Sequence, residues 1–211
     1  LILEMEEKKI SERESLEIIT AMIESTRERY IANGNIMLLW GYLTAVVTIA
    51  VWALLAATHN GVWNWLWFLI PAVGCVATPI MARHNEKKSL VKSYSDTVSS
   101  WLWTIAGISE LVAIAACIVI KYLTGANCWA TMLAYTLVAM PLTVIAQGLL
   151  IKEKSLIGGG MIALTVGIIT VCCVAGGVSL GADWYMPLFI LAFVSMMIVP
   201  GHILNSKNRR Q

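Results

Sequence analysis

Residues 157–179 read IGGGMIALTVGIITVCCVAGGVS and contain no charged side chain. A helix rises 1.5 Å per residue, so about 20 apolar residues cross the ~30 Å hydrocarbon core of a bilayer. Similar apolar blocks recur along the chain, and short polar segments separate them. The sequence therefore predicts an all-α membrane protein with a bundle at 36–204, whose six transmembrane helices lie at about 36–57, 64–83, 101–122, 129–150, 157–179 and 185–204.

Composition agrees with this class. Hydrophobic residues make up 58% of the 211 residues and charged residues 13%, whereas soluble domains carry about 25% charged residues. The formal net charge is only +2, and no basic run interleaved with aromatic residues occurs. We therefore predict the lipid bilayer as the main partner and exclude nucleic acid as a partner.

The basic residues predict the orientation. Every Lys and Arg except Lys121 lies before the first span, or at or after the end of an even-numbered span. Because loops rich in Lys and Arg stay in the cytoplasm, we predict a multi-pass membrane protein whose even-numbered loops are cytoplasmic. Both termini would be cytoplasmic, including the basic tail at 205–211. The predicted outer ends carry the indoles expected at a membrane interface: Trp63, Trp65, Trp67, Trp129 and Trp184.

Residues 1–35 form a separate polar segment that we interpret as an amphipathic cytoplasmic helix. Its candidate docking residues share one face at helical spacings, namely Leu16, Ile19, Ile23 and Tyr30. One interpretation is a helix lying on the membrane or under the bundle. The other is a docking helix for a cytoplasmic partner or for a second copy of the chain. The acidic opposite face disfavours adhesion to anionic lipid, which prefers Lys and Arg.

The three predicted outer turns resemble one another. Each contains a Gly, then Asn or Asp, then Trp, as in Gly61–Trp65 and Gly181–Trp184. Glycine permits a tight turn and Trp anchors the next helix at the interface. This pattern indicates three parallel two-helix hairpins. The alternative is that unrelated short turns converge on the same residues.

Glu110 is the most informative single residue, because it lies near the middle of the third span. A carboxylate there is costly and should face the bundle interior or be protonated. It is therefore a candidate proton or cation site, and the alternative is a neutral carboxyl that only joins helices. The candidate hydrogen-bond donors to it are Tyr42, Thr44, Thr48 and Tyr135.

Other intramembrane residues have candidate roles in packing. Gln147 is the only amide in span four and is a candidate link between helices. Gly159, Ala163 and Gly167 recur every four residues in span five, which lets backbones approach closely. We interpret span five as a central helix or as the contact surface of an oligomer.

Chemical signatures are scarce. No zinc-protease, nucleophile-elbow or phosphate-loop motif occurs. The five cysteines lack the ligand spacing of a zinc site, and the three histidines are dispersed. We therefore predict no catalytic residues, no metal site and no cofactor, and we predict that the protein is not an enzyme.

Residues 9–19, KISERESLEII, run on to Leu39-Trp40-Gly41-Tyr42, and this part of the chain resembles small uncharacterised membrane proteins of anaerobic bacteria. The resemblance extends into the first hairpin and implies a bacterial inner membrane, but it brings no site residues. The function we predict is an interaction or regulatory role through the N-terminal helix. The alternative is a small transporter or channel that uses Glu110.

Overall fold

The computed structural model describes residues 14–20, 34–86 and 94–208, and these residues are almost entirely helical, with no strand among them. A 3-10 helix, Gly61–Phe68, leads into the third helix, and a π-helical stretch, Val194–Ile198, joins the last two. The helices are α1 (14–20), α2 (Gly34–Thr58), α3 (Leu69–Glu86), α4 (Tyr94–Thr124), α5 (Trp129–Leu150), α6 (Lys154–Ala175), α7 (Ala182–Phe193) and α8 (Val199–Asn208).

Among the described residues, six stretches are long and apolar enough to cross a membrane, which confirms the predicted number of apolar helices and fits a multi-pass membrane protein. The 3-10 helix and α3 together make the second span, and α7, the π-helical stretch and α8 together make the sixth. The six run over Gly34–Thr58, Gly61–Arg83, Thr97–Thr124, Trp129–Leu150, Lys154–Ala175 and Ala182–Lys207.

The helix of span five, Lys154–Ala175, starts three residues and ends four residues before the approximate span of 157–179. The helix begins after the N-cap residue Glu153 and ends before Gly176. Gly177 then adopts a left-handed backbone with φ of 71°. Glycine takes this conformation without steric cost and so ends helices. Hydropathy alone cannot locate that stop, because the apolar residues continue past it.

α6 lies at the centre of the bundle. It packs against α5, α7, the π-helical stretch and α8, and α2 packs against α7 and α8 from another side. The buried core draws on α2, α5, α6, α7, the π-helical stretch and α8, and it includes Met37, Leu137, Val144, Leu156, Ala163, Phe189, Met196 and Leu204. By contrast, α3 packs mainly on α2, and α4 packs mainly on α5. The second and third spans are therefore peripheral.

Pro200 explains the irregular backbone of the last span. A proline inside a helix has no N–H to donate, and its ring clashes with the carbonyl four residues earlier, which here belongs to Met196. That residue lies within the π-helical stretch Val194–Ile198. A π-bulge widens the turn and absorbs such a break. The sixth apolar stretch is thus built from two α-helices joined by the π-helical stretch.

The division into three hairpins stays a prediction. The most extensive helix pair is α5 with α6, and these helices come from two different predicted hairpins. Close approach there has a local cause, because Gly160 lies against Ile145 and the carbonyl of Pro141. The contacts between successive helices therefore do not show where one predicted hairpin ends and the next begins.

Candidate functional site

The contact surface between α4 and α5, which we call the α4–α5 seam, carries two of the intramembrane polar candidates, Glu110 and Gln147. The Ser99 hydroxyl donates to Gln147 Oε1 at 2.8 Å, and the Thr136 hydroxyl donates to Glu110 Oε2 at 2.9 Å. The two contacts are eleven residues apart on each helix. Eleven residues are about three helical turns. One face of α4 therefore contacts one face of α5 at both levels, and the two helices are antiparallel.

Glu110 is half-buried in this seam and only partly satisfied. Its Oε2 accepts from Thr136, whereas its Oε1 is buried with no hydrogen-bond partner. A buried carboxyl oxygen without a partner loses its hydration and gains nothing in return. A proton on this carboxyl, or a small cation beside it, would remove that cost. The geometry is compatible with either a proton site or a structural link between helices.

The structure places the predicted donors to Glu110 elsewhere. The hydroxyl of Tyr42 lies 2.7 Å from His202 Nε2, joining α2 to α8. Thr44 and Thr48 are buried on α2, where the Thr48 hydroxyl donates to the carbonyl of Thr44. The observed donor, Thr136, was missed by sequence reasoning. Thr136 could have been considered because it lies on the helix that follows Glu110 in the chain. Choosing it over other residues of that helix requires the register of α4 against α5.

Gln147 joins α4 to α5 through Ser99 and is fully buried. Its Nε2 has no partner, so the amide uses only part of its hydrogen-bonding capacity. About 16 Å of helix separates this contact from Glu110. The two groups therefore do not form one site.

Tyr135 lies on an exposed side of the seam. With α4 it lines an open apolar groove of about 520 Å³. Its side chain is 37% exposed, and its hydroxyl has no hydrogen-bond partner among the described residues. Tyr135 therefore does not donate to Glu110, although it is adjacent in sequence to Thr136, which does.

The small residues of span five lie in the centre of the bundle. All three are buried, and Gly159 and Gly167 face different neighbours. Gly159 lies against the carbonyl of Ser195 in the π-helical stretch, and Gly167 lies against the carbonyl of Leu137 in α5. Ala163 is fully buried between them. These contacts correspond to the central-helix interpretation of the pattern.

The predicted docking face is described only in part. Residues 14–20 are helical, and the side chains of Leu16 and Ile19 are 64% and 51% exposed. Ile18, beside them, is 44% exposed. Ile23 and Tyr30 lie outside the described residues. Whether these residues form one amphipathic helix therefore stays a prediction.

An ion pair at one end of the bundle was not predicted. Lys207 Nζ, on α8, contacts both carboxylate oxygens of Glu153, at 2.9 and 2.7 Å. The Glu153 side chain is 4% exposed and that of Lys207 is 47% exposed. Lys152, next to Glu153, has a φ of 57°, a left-handed conformation that is uncommon for a residue other than glycine. The pair ties the end of the last span to the turn between α5 and α6.

Within the described parts of the chain, no three His, Cys, Asp or Glu side chains are grouped so that they could hold a metal ion. Comparison of the chain with protein-family models, curated proteins and solved structures found no match. The resemblance to small membrane proteins of anaerobic bacteria therefore stays a prediction.

Proposed function

We propose that this chain is a non-enzymatic, multi-pass inner-membrane protein that binds a cytoplasmic partner through its N-terminal helix. The single observation that carries the proposal is the exposure of Leu16, Ile18 and Ile19 on a described helical segment. Leu16 and Ile19 are three residues apart, so they lie on the same side of a helix. Exposed apolar side chains grouped outside the membrane-spanning segments are typical of an interaction surface.

The charge of the segment favours a protein partner over a lipid surface. Glu14 and Glu17 lie beside the apolar side chains. Helices that lie on anionic membranes carry Lys and Arg on the polar face. A helix presenting apolar residues at these spacings suits a groove on another protein. The partner surface we expect is therefore an apolar groove with a basic rim.

The proposal can be tested by site-specific photo-crosslinking in the native membrane. A photoreactive amino acid is placed at Leu16, Ile19 or Glu17 of the full chain. We expect one discrete protein adduct from positions 16 and 19, and a much weaker one from position 17. The double variant Leu16→Ser, Ile19→Ser should lose the partner on purification, while Glu17→Gln should retain it. Adducts only to lipid, or equal adducts from all three positions, would contradict the proposal.

The proposed orientation has both termini in the cytoplasm. It is supported by the distribution of Lys and Arg, of which only Lys121 falls on the opposite side. Fusion of a reporter that works only in the cytoplasm after residue 208, and of one that works only outside it at Ala126, tests this directly. Activity of both reporters is expected, and activity in the exchanged positions would refute the orientation.

A second candidate function is favoured by the buried, unpartnered Oε1 of Glu110. In this alternative the carboxyl takes up a proton or a cation, and the chain is a small transporter or channel. Polar groups within the spans often mark such pathways. Among the described residues, however, the buried hydroxyls of Thr48 and Thr170 bond within their own helices and do not extend toward Glu110. This is why the interaction role is proposed first.

Liposome flux measurements separate the two candidates. If Glu110 carries protons, the full chain should dissipate a pH gradient faster than empty liposomes, and Glu110→Gln should abolish the difference. Ser109→Ala is the matched control, because the Ser109 hydroxyl donates only to Ala106 in its own helix. Flux that is unchanged in Glu110→Gln would remove Glu110 from any transport mechanism.

A further inference from the structure

Two cysteines meet at the end of the α4–α5 seam that carries Trp129. The Cys117 thiol of α4 donates to the backbone carbonyl of Cys128 at 3.4 Å. Cys128 immediately precedes α5, and its carbonyl also accepts from the N–H of Met132 in the first turn of that helix. The charged forms of the two thiols would repel each other, so the sulfur atoms also lie near each other. Both thiols are free in this structure.

The register of the seam explains why these two residues meet. Because Glu110 is level with Thr136, Cys117 is level with the first residue of α5, Trp129, seven residues further along each antiparallel helix. α4 continues for another seven residues, which is about 10 Å. The chain then turns and returns over four non-helical residues to Cys128. Two cysteines that are eleven residues apart in the chain are therefore side by side.

The pair lies at a level that an aqueous reagent can reach. Trp129 beside it is an indole of the kind that marks a membrane interface. Cys117 is 7% exposed and Cys128 is half-buried, so a reagent meets Cys128 first. In the proposed orientation this end faces the outer compartment, because the basic residues other than Lys121 lie toward the opposite end. The outer side of a bacterial inner membrane is a compartment in which disulfides form and persist.

We propose that Cys117 and Cys128 are a redox modification site, at which an intramolecular disulfide forms and links α4 covalently to the start of α5. Disulfide formation needs two residues whose backbones are already close. Here the thiol of one residue reaches the backbone carbonyl of the other. The bond would hold the peripheral third span against the bundle. The proposal rests on the proposed orientation, and it uses neither Glu110 nor the docking face.

The oxidant that the reaction requires is the disulfide form of a dithiol–disulfide oxidoreductase. The Cys128 thiolate attacks this disulfide, forming a mixed disulfide and releasing one thiol of the oxidant. The Cys117 thiolate then attacks Cys128 Sγ, which forms the internal disulfide and releases the second thiol. The protons of Cys117 and Cys128 pass to the two thiols of the oxidant. Two electrons leave the chain, and the oxidant is reduced to its dithiol.

The first experiment uses the purified full chain in mild detergent, with oxidised glutathione as the oxidant. After an acid quench, free thiols are blocked with N-ethylmaleimide and the chain is digested with trypsin. Lys121 lies between the two cysteines, so the disulfide should join two tryptic peptides that a reductant separates. The other cysteines should all carry maleimide: Cys75, Cys172 and Cys173. A glutathione adduct on Cys128 with no joined peptides would show that the two sulfur atoms cannot meet, and would overturn the proposal.

Serine variants provide the controls. Cys117→Ser should leave Cys128 as a glutathione adduct, because the resolving thiol is gone. Cys172→Ser is the matched control, since Cys172 is an exposed cysteine near the end of α6, and it should form the joined peptides as wild type does. Oxidation should also raise the midpoint of unfolding by dodecyl sulfate in wild type and not in Cys117→Ser. Equal midpoints for oxidised and reduced wild type would overturn the link between α4 and α5.

The second experiment measures the state of the pair in the native membrane. Cells are acid-quenched before lysis, and free thiols are blocked as before. We expect most of the wild-type chain to contain the joined peptides, and growth with dithiothreitol to separate them. Free thiols at both positions in untreated cells would overturn the proposal. The reporter at Ala126 then identifies the cause, because an active reporter places the fault in the cysteine pair and an inactive one places it in the orientation.

Discussion

α4 and α6 are both apolar helices with a glycine near the middle, yet the bundle uses the two helices differently. Gly167 on α6 lies directly against the carbonyl of Leu137, whereas a Cβ on Gly107 of α4 would meet nothing within 4 Å. The two spans also differ in overall burial. In the most apolar stretch of each, 33% of the residues are buried for α6 and 11% for α4. Glycine is thus a packing requirement in one helix and has no packing role in the other.

The largest effect that this contrast predicts is for Gly167→Ala. A methyl group there would collide with the backbone of α5, which cannot rotate away as a side chain could. Overpacking a well-packed interior costs about 1–3 kcal/mol, and we expect the upper part of that range. The measurement is unfolding in mixed detergent micelles with increasing dodecyl sulfate, followed by circular dichroism. An unchanged midpoint would mean that α5 and α6 are not this close.

Next in size is Lys207→Met, which probes the end of the bundle. It would leave the Glu153 carboxylate buried without its partner. Breaking a buried pair costs about 3–5 kcal/mol, but Lys207 is 47% exposed and water weakens the pair. We therefore expect a loss of about 1–2 kcal/mol.

Glu153→Gln provides the matched comparison for that pair. It should cost less than Lys207→Met, because it removes the buried charge and leaves the exposed Lys207 to water. Stability would be read from the same unfolding curves. A larger loss in Glu153→Gln than in Lys207→Met would show that the ion pair contributes net stability through attraction and not by avoiding a buried charge.

The sequence predicted the six spans because each long apolar block in a chain this hydrophobic indicates a transmembrane helix. Hydropathy did not predict which spans are central, since it reports a preference for apolar surroundings and does not distinguish lipid from protein. Only the regular spacing of small residues in span five indicated a central helix, with an oligomer contact as the alternative. The candidate site shows the same limit. Glu110 and Gln147 were identified from their chemistry, whereas their partners Thr136 and Ser99 depend on a helix register that the sequence does not reveal. The Lys207 pair depends on the ends of two non-adjacent helices meeting.

A smaller effect is expected for Thr136→Val, which tests the α4–α5 seam. The change keeps the shape of the side chain and leaves Glu110 without its donor. Hydrogen bonds between helices in membranes average about 0.6 kcal/mol and reach about 1.7 kcal/mol. We expect a loss of about 1 kcal/mol because both carboxyl oxygens would then be unpartnered. Thr143→Val is the control, as its hydroxyl donates only to Ala139 in the same helix, and an equal loss in both variants would argue against a stabilising contact at Glu110.

The smallest effect, and the one with the opposite sign, is expected for Gly107→Ala. The new methyl group meets open space, so it adds no clash, and it removes the flexibility that glycine gives to the unfolded chain. Replacing glycine by alanine in a compatible helix stabilises by about 0.4–1 kcal/mol. The unfolding midpoint of Gly107→Ala should therefore rise slightly, while that of Gly167→Ala falls. If both midpoints fell together, α4 would have to be covered by another helix at Gly107, and the distinction between a central α6 and a peripheral α4 would be lost.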